Sequence, residues 1–564
     1  MAAKTTRGFP SHEHEDTPKA SLSDISSGSR TLAFVHSKLG RLEGLHFLPT
    51  VAQFRAIPFA TVPGRFRQSV LLTDLSSTDR KFTQTGYACP QQDESDAPGG
   101  GPLSGDVRPI LMDEHKCLIV QVSAPTEALS NTAPGAPKLP VLVYIHGGGF
   151  HSGKTDQQHS TFAFRYRLGA LGFLTSADLS ADAASHNEPP GNFALFDQRN
   201  GLLWVQRFIS GFGGDPGNVT VMGESAGSVS IHTHMISTTP SLFKRAALMS
   251  GSLSPMLSAA PFDHHEKTYQ TLLATLSISS TDPNRLAKLR AVPAAELVTA
   301  STELRDSGTA WLPLAHESFF PVLPTWRNIS ELTTRCDWVE SIMIGTTGFE
   351  GYMFLPLASA ITPSSLSALL TRQFGPLNAA KLLAAYDITP DIDANLFITR
   401  AMEFVGELIF DVPTHHLARH LPHHRTHRYV FDVPNPFPGT AFHGTAHHWV
   451  DMYSVFATFL ARLPTTRLRN ISTHHARLWT AFANGEEPWT AYVSRERGGE
   501  EVVMVASGEA GWVERTRGAD EEVAGRRYAR WEAVRGVWEA GWGSGWVEPL
   551  GGLVGGGSGE GRVY

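Results

Sequence analysis

The chain has 564 residues, 41% of them apolar and 18% charged, with a formal net charge of -7. This is the balance of a globular protein with ample core, longer than one average domain although a large α/β core with loop insertions can fill such a length as a single unit. The acidic balance leaves no basic footprint and argues against nucleic acid as a partner, and no apolar run approaches the roughly 18 residues of a membrane-spanning helix.

Met1 to Arg30 is rich in Ser, His, Asp and Thr and has no apolar core, so it reads as a disordered lead-in and not as a secretory signal. A cytoplasmic location is the expectation that follows. Three cysteines, Cys89, Cys117 and Cys336, permit at most one bridge. From Thr31 to Leu72 the short alternating segments Leu32 to Val35 and Val51 to Ile57 predict an N-terminal antiparallel flap. Gln91 to Val107, with its Gly99-Gly100-Gly101 run, reads as a loop. Leu118 to Val122 and Val141 to Ile145 predict strands, the second apolar enough to be buried on both faces. It runs into His146-Gly147-Gly148-Gly149-Phe150, where consecutive glycines let backbone N–H groups approach a ligand. Asn192 to Arg207 predicts a helix, and Gly211 to Gly217 a turn feeding the next strand.

That strand, Val219 to Met222, stops at Gly223-Glu224-Ser225-Ala226-Gly227, and a helix toward Ile236 follows. The pattern is a strand-to-helix elbow: the turn leaves no room for a Cβ at Gly223 or Gly227, and Ser225 sits at its tightest point in strained backbone with its oxygen exposed. Ala246 to Met249 predicts the next strand, and Tyr269 to Leu276 a helix. Thr281 to Trp326 alternates helices and Pro-containing loops, which suits a cap layer. Ser341 to Gly345 and Arg428 to Phe431 predict two more strands, and Tyr528, Trp531, Val534 and Trp538 form the stripe of a final helix. Strands alternating with helices over most of the length predict a mostly parallel α/β sheet covered on both faces, as one domain over residues 31–548 with a flexible Gly-rich tail at 549–564.

A serine hydroxyl is a poor nucleophile near neutral pH, so it needs a base, a carboxylate to orient that base, and donors for the oxyanion. Each has a candidate here in chain order. Gly147 to Gly149 lie on a loop after a strand, and Ala226 follows the serine at the helix start. Glu350 lies on a loop after the strand ending at Gly345, and Phe442 to Trp449 supplies His443, His447 and His448. The order Ser, Glu, His is that of an α/β-hydrolase.

These residues, together with Phe54 to Ala60, the Cys89-Pro90-Gln91 turn, Tyr166-Arg167-Leu168-Gly169, Gly191 to Asn200 and Trp204 to Asn218, resemble the type-B carboxylesterase and cholinesterase-like family of α/β-hydrolases. The resemblance runs from about Thr31 to Trp538. It implies the α/β-hydrolase fold with helical cap insertions and hydrolysis of a small-molecule carboxylic ester through a serine acyl-enzyme, without a cofactor or metal. It implies Ser225 as nucleophile, Glu350 as triad acid and His448 as base, selected by counting back from Val455-Phe456, with Asp451 where the family often has Glu. The oxyanion donors would be the N–H groups of Gly148, Gly149 and Ala226. Cys89 and Cys117 match the family's first disulfide, or stand as reduced thiols. A choline ester is disfavoured because the loop between those cysteines holds no aromatic residue, and an apolar pocket for short or medium acyl groups is the expectation.

Two departures stand out. Phe349 occupies a position where the family commonly has Asp. Between Phe150 and Tyr166, where the family has a surface helix and a full strand, only residues 151–165 intervene. Either Thr161 to Phe164 forms a shortened strand or the segment is damaged, and in the latter case the chain is a catalytically impaired relative used for binding. The histidines His415, His416, His420, His423, His424 and His427 lack the matched acid or Cys set of a metal site and read as a solvated, partly helical face.

Overall fold

Along Gly214–Glu224 successive side chains leave on opposite sides, as a strand's two-residue period requires. Val219 and Val221 enter one apolar cluster with Val141, Val143, Ala246, Leu248, Ile342 and Ile344. Met222 enters a second with Tyr144, Ala247, Met249, Met343 and Tyr429. The centre of the sheet is therefore buried on both faces, which the near-continuous apolar runs predicted. The computed structural model describes residues 31–541, apart from 77–78, 93–110, 131–134, 154–162, 255–256, 422–424 and 441. The expected lead-in, Gly-rich tail, Thr161 and Phe162 lie outside the described residues.

In chain order the strands of the main sheet are β1 (Thr31–His36), β2 (Gly40–Leu48), β3 (Val51–Pro58), β4 (Ile119–Pro125), β5 (Leu139–Ile145), β6 (Ala163–Phe164), β7 (Gly214–Glu224), β8 (Arg245–Met249), β9 (Ser341–Thr347), β10 (Arg425–Asp432), β11 (Val502–Ser507) and β12 (Gly511–Thr516). Their spatial order is β1-β2-β3-β4-β6-β5-β7-β8-β9-β10-β11-β12. From β6 to β11 neighbours are parallel, whereas β1 to β4 and the β11–β12 hairpin are antiparallel. The N-terminal flap is thus one end of the main sheet. Helix α1 (Phe193–Phe208) carries Trp204 and Val205 to one face, and α2 (Ala226–Met235) follows the elbow. Helix α3 (Ala394–Gly406) passes through a π-turn at Glu407–Asp411 into α4 (Val412–His420), α5 (Thr466–Asn484) covers the opposite face with Leu478, Trp479 and Phe482, and α6 (Tyr528–Gly541) packs on α4.

Three expectations need correction. The turn placed at Gly211 to Gly217 is shorter, because β7 already starts at Gly214 and pairs with Leu139. β2 and the β11–β12 hairpin were not anticipated: β2 mixes charged, glycine and apolar residues without a clean alternation. The histidines expected on a solvated face are largely internal, with His415, His416 and His427 buried and His423 and His424 outside the described residues. His415 lies 2.6 Å from an Arg428 guanidinium nitrogen and 2.8 Å from Glu532 Oε1, so it is part of a paired polar network between α4, β10 and α6.

Candidate active site

The elbow is built as its glycines require. A Cβ on Gly227 would lie 2.1 Å from the Ile145 carbonyl oxygen, and one on Gly223 would lie 2.6 Å from the Gly227 backbone, so strand β5, strand β7 and helix α2 cross without space for either. Ser225 between them has φ 55° and ψ -125°, a strained conformation for a residue with a side chain. Its N–H donates to the Met249 carbonyl at 2.9 Å, which ties the serine to the end of β8.

The glycine loop after β5 lies against this elbow. Gly148 and Gly149 have φ 101° and 58°, and a Cβ on Gly147 would stand 3.1 Å from the Ser225 Cβ. Tyr166 stacks on His146 and donates its hydroxyl proton to the His146 carbonyl at 2.7 Å, holding the loop from behind. Ala226 opens α2, so its N–H belongs to the unpaired first turn of a helix.

Of the three histidines on the 442–449 segment, the structure brings His448 to Glu350, with Nδ1 2.5 Å from Oε2. His443 is exposed, and the His447 ring contacts the backbone carbonyl of His448. Glu350 is 2% exposed, an internal acid and not a surface one. Its other oxygen accepts from the Ser250 hydroxyl and the Thr347 N–H, both at 2.6 Å. The two loops are stitched together by a bridge pairing Phe349 with His447, in which the Phe349 N–H donates to the Ala446 carbonyl at 2.8 Å. Position 349 therefore serves through its backbone, which is why Phe can stand there. Phe410, from the π-turn, stacks on the His448 ring with centroids 4.5 Å apart.

Several groups of the site, or the contacts they make, escaped sequence reasoning. Glu224, fully buried, places Oε1 3.0 Å from His448 Nε2 without the direction of a hydrogen bond, so the imidazole lies between two carboxylates. Burial alone would lower the His448 pKa, but the charges of Glu224 and Glu350 outweigh it and raise the group to about 9. Asp451, held by the Tyr429 hydroxyl at 3.0 Å, is pushed up to about 7 by burial and then by Glu350. Asp411 accepts from the Thr346 hydroxyl at 2.7 Å, and burial and Glu350 raise it too. Ser250 had one available signal: it follows the strand next to the one that leads to Ser225, at the edge where sites of this sheet type form. Among the described residues no hydrogen bond joins Ser225 to His448, and apo sites often close that contact only around a substrate. Cys89 and Cys117 are joined in a disulfide, with Cα atoms 4.8 Å apart, and Cys336 is buried and free.

Residues 32–512 match the model of a family described as the carboxylesterase family. The esterase cest-33 of Caenorhabditis elegans is 30% identical over 342 residues, which cover 57% of this chain and 57% of that protein, so the chain spans little more than half of this relative. Lipase 4 of Diutina rugosa is 28% identical over 516 residues, 80% of this chain and 88% of its own. Para-nitrobenzyl esterase of Bacillus subtilis (strain 168) is 27% identical over 481 residues, 79% and 90%. A solved PNB esterase matches with a TM-score of 0.67 at 23% identity, covering 88% of this chain and 99% of that one, a likeness of fold.

Proposed function

The chain belongs to the carboxylesterase family and is a carboxylic ester hydrolase, and we propose that it cleaves its substrate through an acyl-enzyme on Ser225. The contact between His448 Nδ1 and Glu350 Oε2 at 2.5 Å, beside a strained serine elbow, carries this reading. Glu350 fixes the imidazole tautomer so that Nε2, once deprotonated, takes the Ser225 proton as the hydroxyl attacks the ester carbonyl. The oxyanion forms against the N–H groups of Gly148, Gly149 and Ala226, each donor being worth roughly 100- to 1,000-fold in turnover. His448 returns the proton to the leaving alcohol, and water repeats the sequence to release the acid. The stacked Phe410 gives this side of the histidine an apolar wall, which supports short or medium acyl esters as substrates.

Ser225→Ala should abolish hydrolysis of p-nitrophenyl butyrate and labelling by a fluorophosphonate probe. A folded wild-type protein that the probe does not label would overturn the enzyme in favour of a binding protein of the same fold.

A further inference from the structure

The glycine loop after β5 is held at its start by Tyr166 on His146. It is held again at Gly153, by a side chain from a remote part of the sequence. Gln91, two residues after Cys89 and 7% exposed, accepts the Gly153 N–H on Oε1 at 2.7 Å and donates from Nε2 to the Gly153 carbonyl at 2.8 Å. The same Nε2 donates to the Cys89 carbonyl at 3.1 Å. Both amide protons meet carbonyl oxygens and the amide oxygen meets an N–H, so the opposite orientation of the amide would spoil every one of these contacts.

Gly153 in turn bears on the glycines that carry the proposed oxyanion donors. Its φ is 131°, in the region that favours glycine, and a Cβ there would lie 2.1 Å from His146 Nδ1 and 2.6 Å from the Gly147 carbonyl oxygen. His146 Nδ1 lies 2.9 Å from that same carbonyl. Between its two ends the loop folds back on itself. The Gly148 carbonyl accepts the N–H groups of His151 and Ser152, both at 3.0 Å, and the Ser152 hydroxyl at 3.2 Å. A Cβ on Gly148 would lie 2.3 Å from the Ser152 carbonyl oxygen. Residues 147–153 are therefore a closed turn in backbone contact with itself, and a rotation at Gly153 is passed to the peptide planes of Gly148 and Gly149. An oxyanion donor lowers the barrier only if it is aimed before the charge develops.

We infer that Gln91 is a positioning residue of the reaction: through its paired hydrogen bonds to Gly153 it fixes the direction in which Gly148 and Gly149 present their N–H groups to the oxyanion. The role rests on the acyl-enzyme reading of Ser225 given above, and Gln91 acts through Gly153, not on the substrate.

Gln91→Met keeps the length of the side chain and removes its hydrogen bonds, and Gln91→Asn keeps the amide but draws it back by one methylene. With p-nitrophenyl butyrate both variants should lose roughly 10- to 100-fold in kcat, less than the roughly 100- to 1,000-fold of a whole donor, with KM within about threefold of wild type. Inhibition by a trifluoromethyl ketone, which forms a hemiketal oxyanion on Ser225, should weaken by the same factor as kcat/KM, whereas the matching unfluorinated ketone, which stays trigonal, should bind as before. A purely structural role would not separate the two ketones. In the wild-type chain the Gly153 amide should be protected from hydrogen exchange, a check that needs no variant. Unchanged kcat in either folded variant, a loss of kcat that leaves inhibition by the fluorinated ketone intact, or a Gly153 amide that exchanges as freely as an open loop would each overturn the role of Gln91. An active Ser225→Ala protein would instead overturn the reading beneath it.

Discussion

Glu224 stands beside the nucleophile in sequence, yet its carboxylate faces the histidine. With Nδ1 on Glu350 and Nε2 3.0 Å from Glu224, His448 holds its proton up to about 9, because two facing charges outweigh the burial that would lower it. A general base must be neutral to act, so kcat/KM should rise with pH as His448 deprotonates. Glu224→Gln removes one raising charge and should move that acidic limb to lower pH by about one unit or more. A pH profile of p-nitrophenyl butyrate hydrolysis checks this, and an unmoved limb would show that Glu224 does not set the charge of the base. The proposed serine, acid and histidine could be picked out in the sequence because each lies in a short motif in a fixed order, and the structure brings the last two together. Glu224's role, Ser250, Asp411 and the tyrosine hold on Asp451 were not, because they arise where different strands end side by side.

At the level of elements, the elbow depends on β5, β7 and α2 passing within backbone contact. Gly227→Ala would put a methyl group 2.1 Å from the Ile145 carbonyl, and since backbone must move, a loss of about 1–3 kcal/mol or more is expected. Ile145 leads directly into the oxyanion loop, so turnover should fall with stability. Denaturant unfolding and kcat measured on the same preparation test both, and an unaffected variant would mean that the backbones part there without cost. Helices α1, α2 and α6 and the central strands were predictable from apolar runs and helical spacing, whereas α3 and α5 were not anticipated. Nor were β2 and the β11–β12 hairpin, and in β2 the mixed pattern specifies a strand only together with its partners β1 and β3. Of the shortened strand expected over Thr161 to Phe164, β6 covers Ala163–Phe164, and Thr161 and Phe162 lie outside the described residues.

For the whole molecule, the disulfide between Cys89 and Cys117 closes a loop across a sequence separation of 28 residues, its second cysteine two residues before β4. Constraining a loop of that length in the unfolded chain is worth roughly 3–4 kcal/mol in the entropy model. Cys89→Ser should therefore lower the unfolding free energy by about that amount while leaving Ser225 reactive toward a fluorophosphonate, measured by chemical denaturation and labelling. Unchanged stability would show the bridge to be dispensable. By itself the sequence determined the fold class, the family resemblance and the chain order of the proposed nucleophile, acid and histidine, because local spacing and glycine positions encode them within a few residues. The tertiary structure decided which of three neighbouring histidines meets the acid, that a second carboxylate faces it, and that His415, His416 and His427 are buried. Those are distances between segments tens to hundreds of residues apart, set only when the sheet has closed its register.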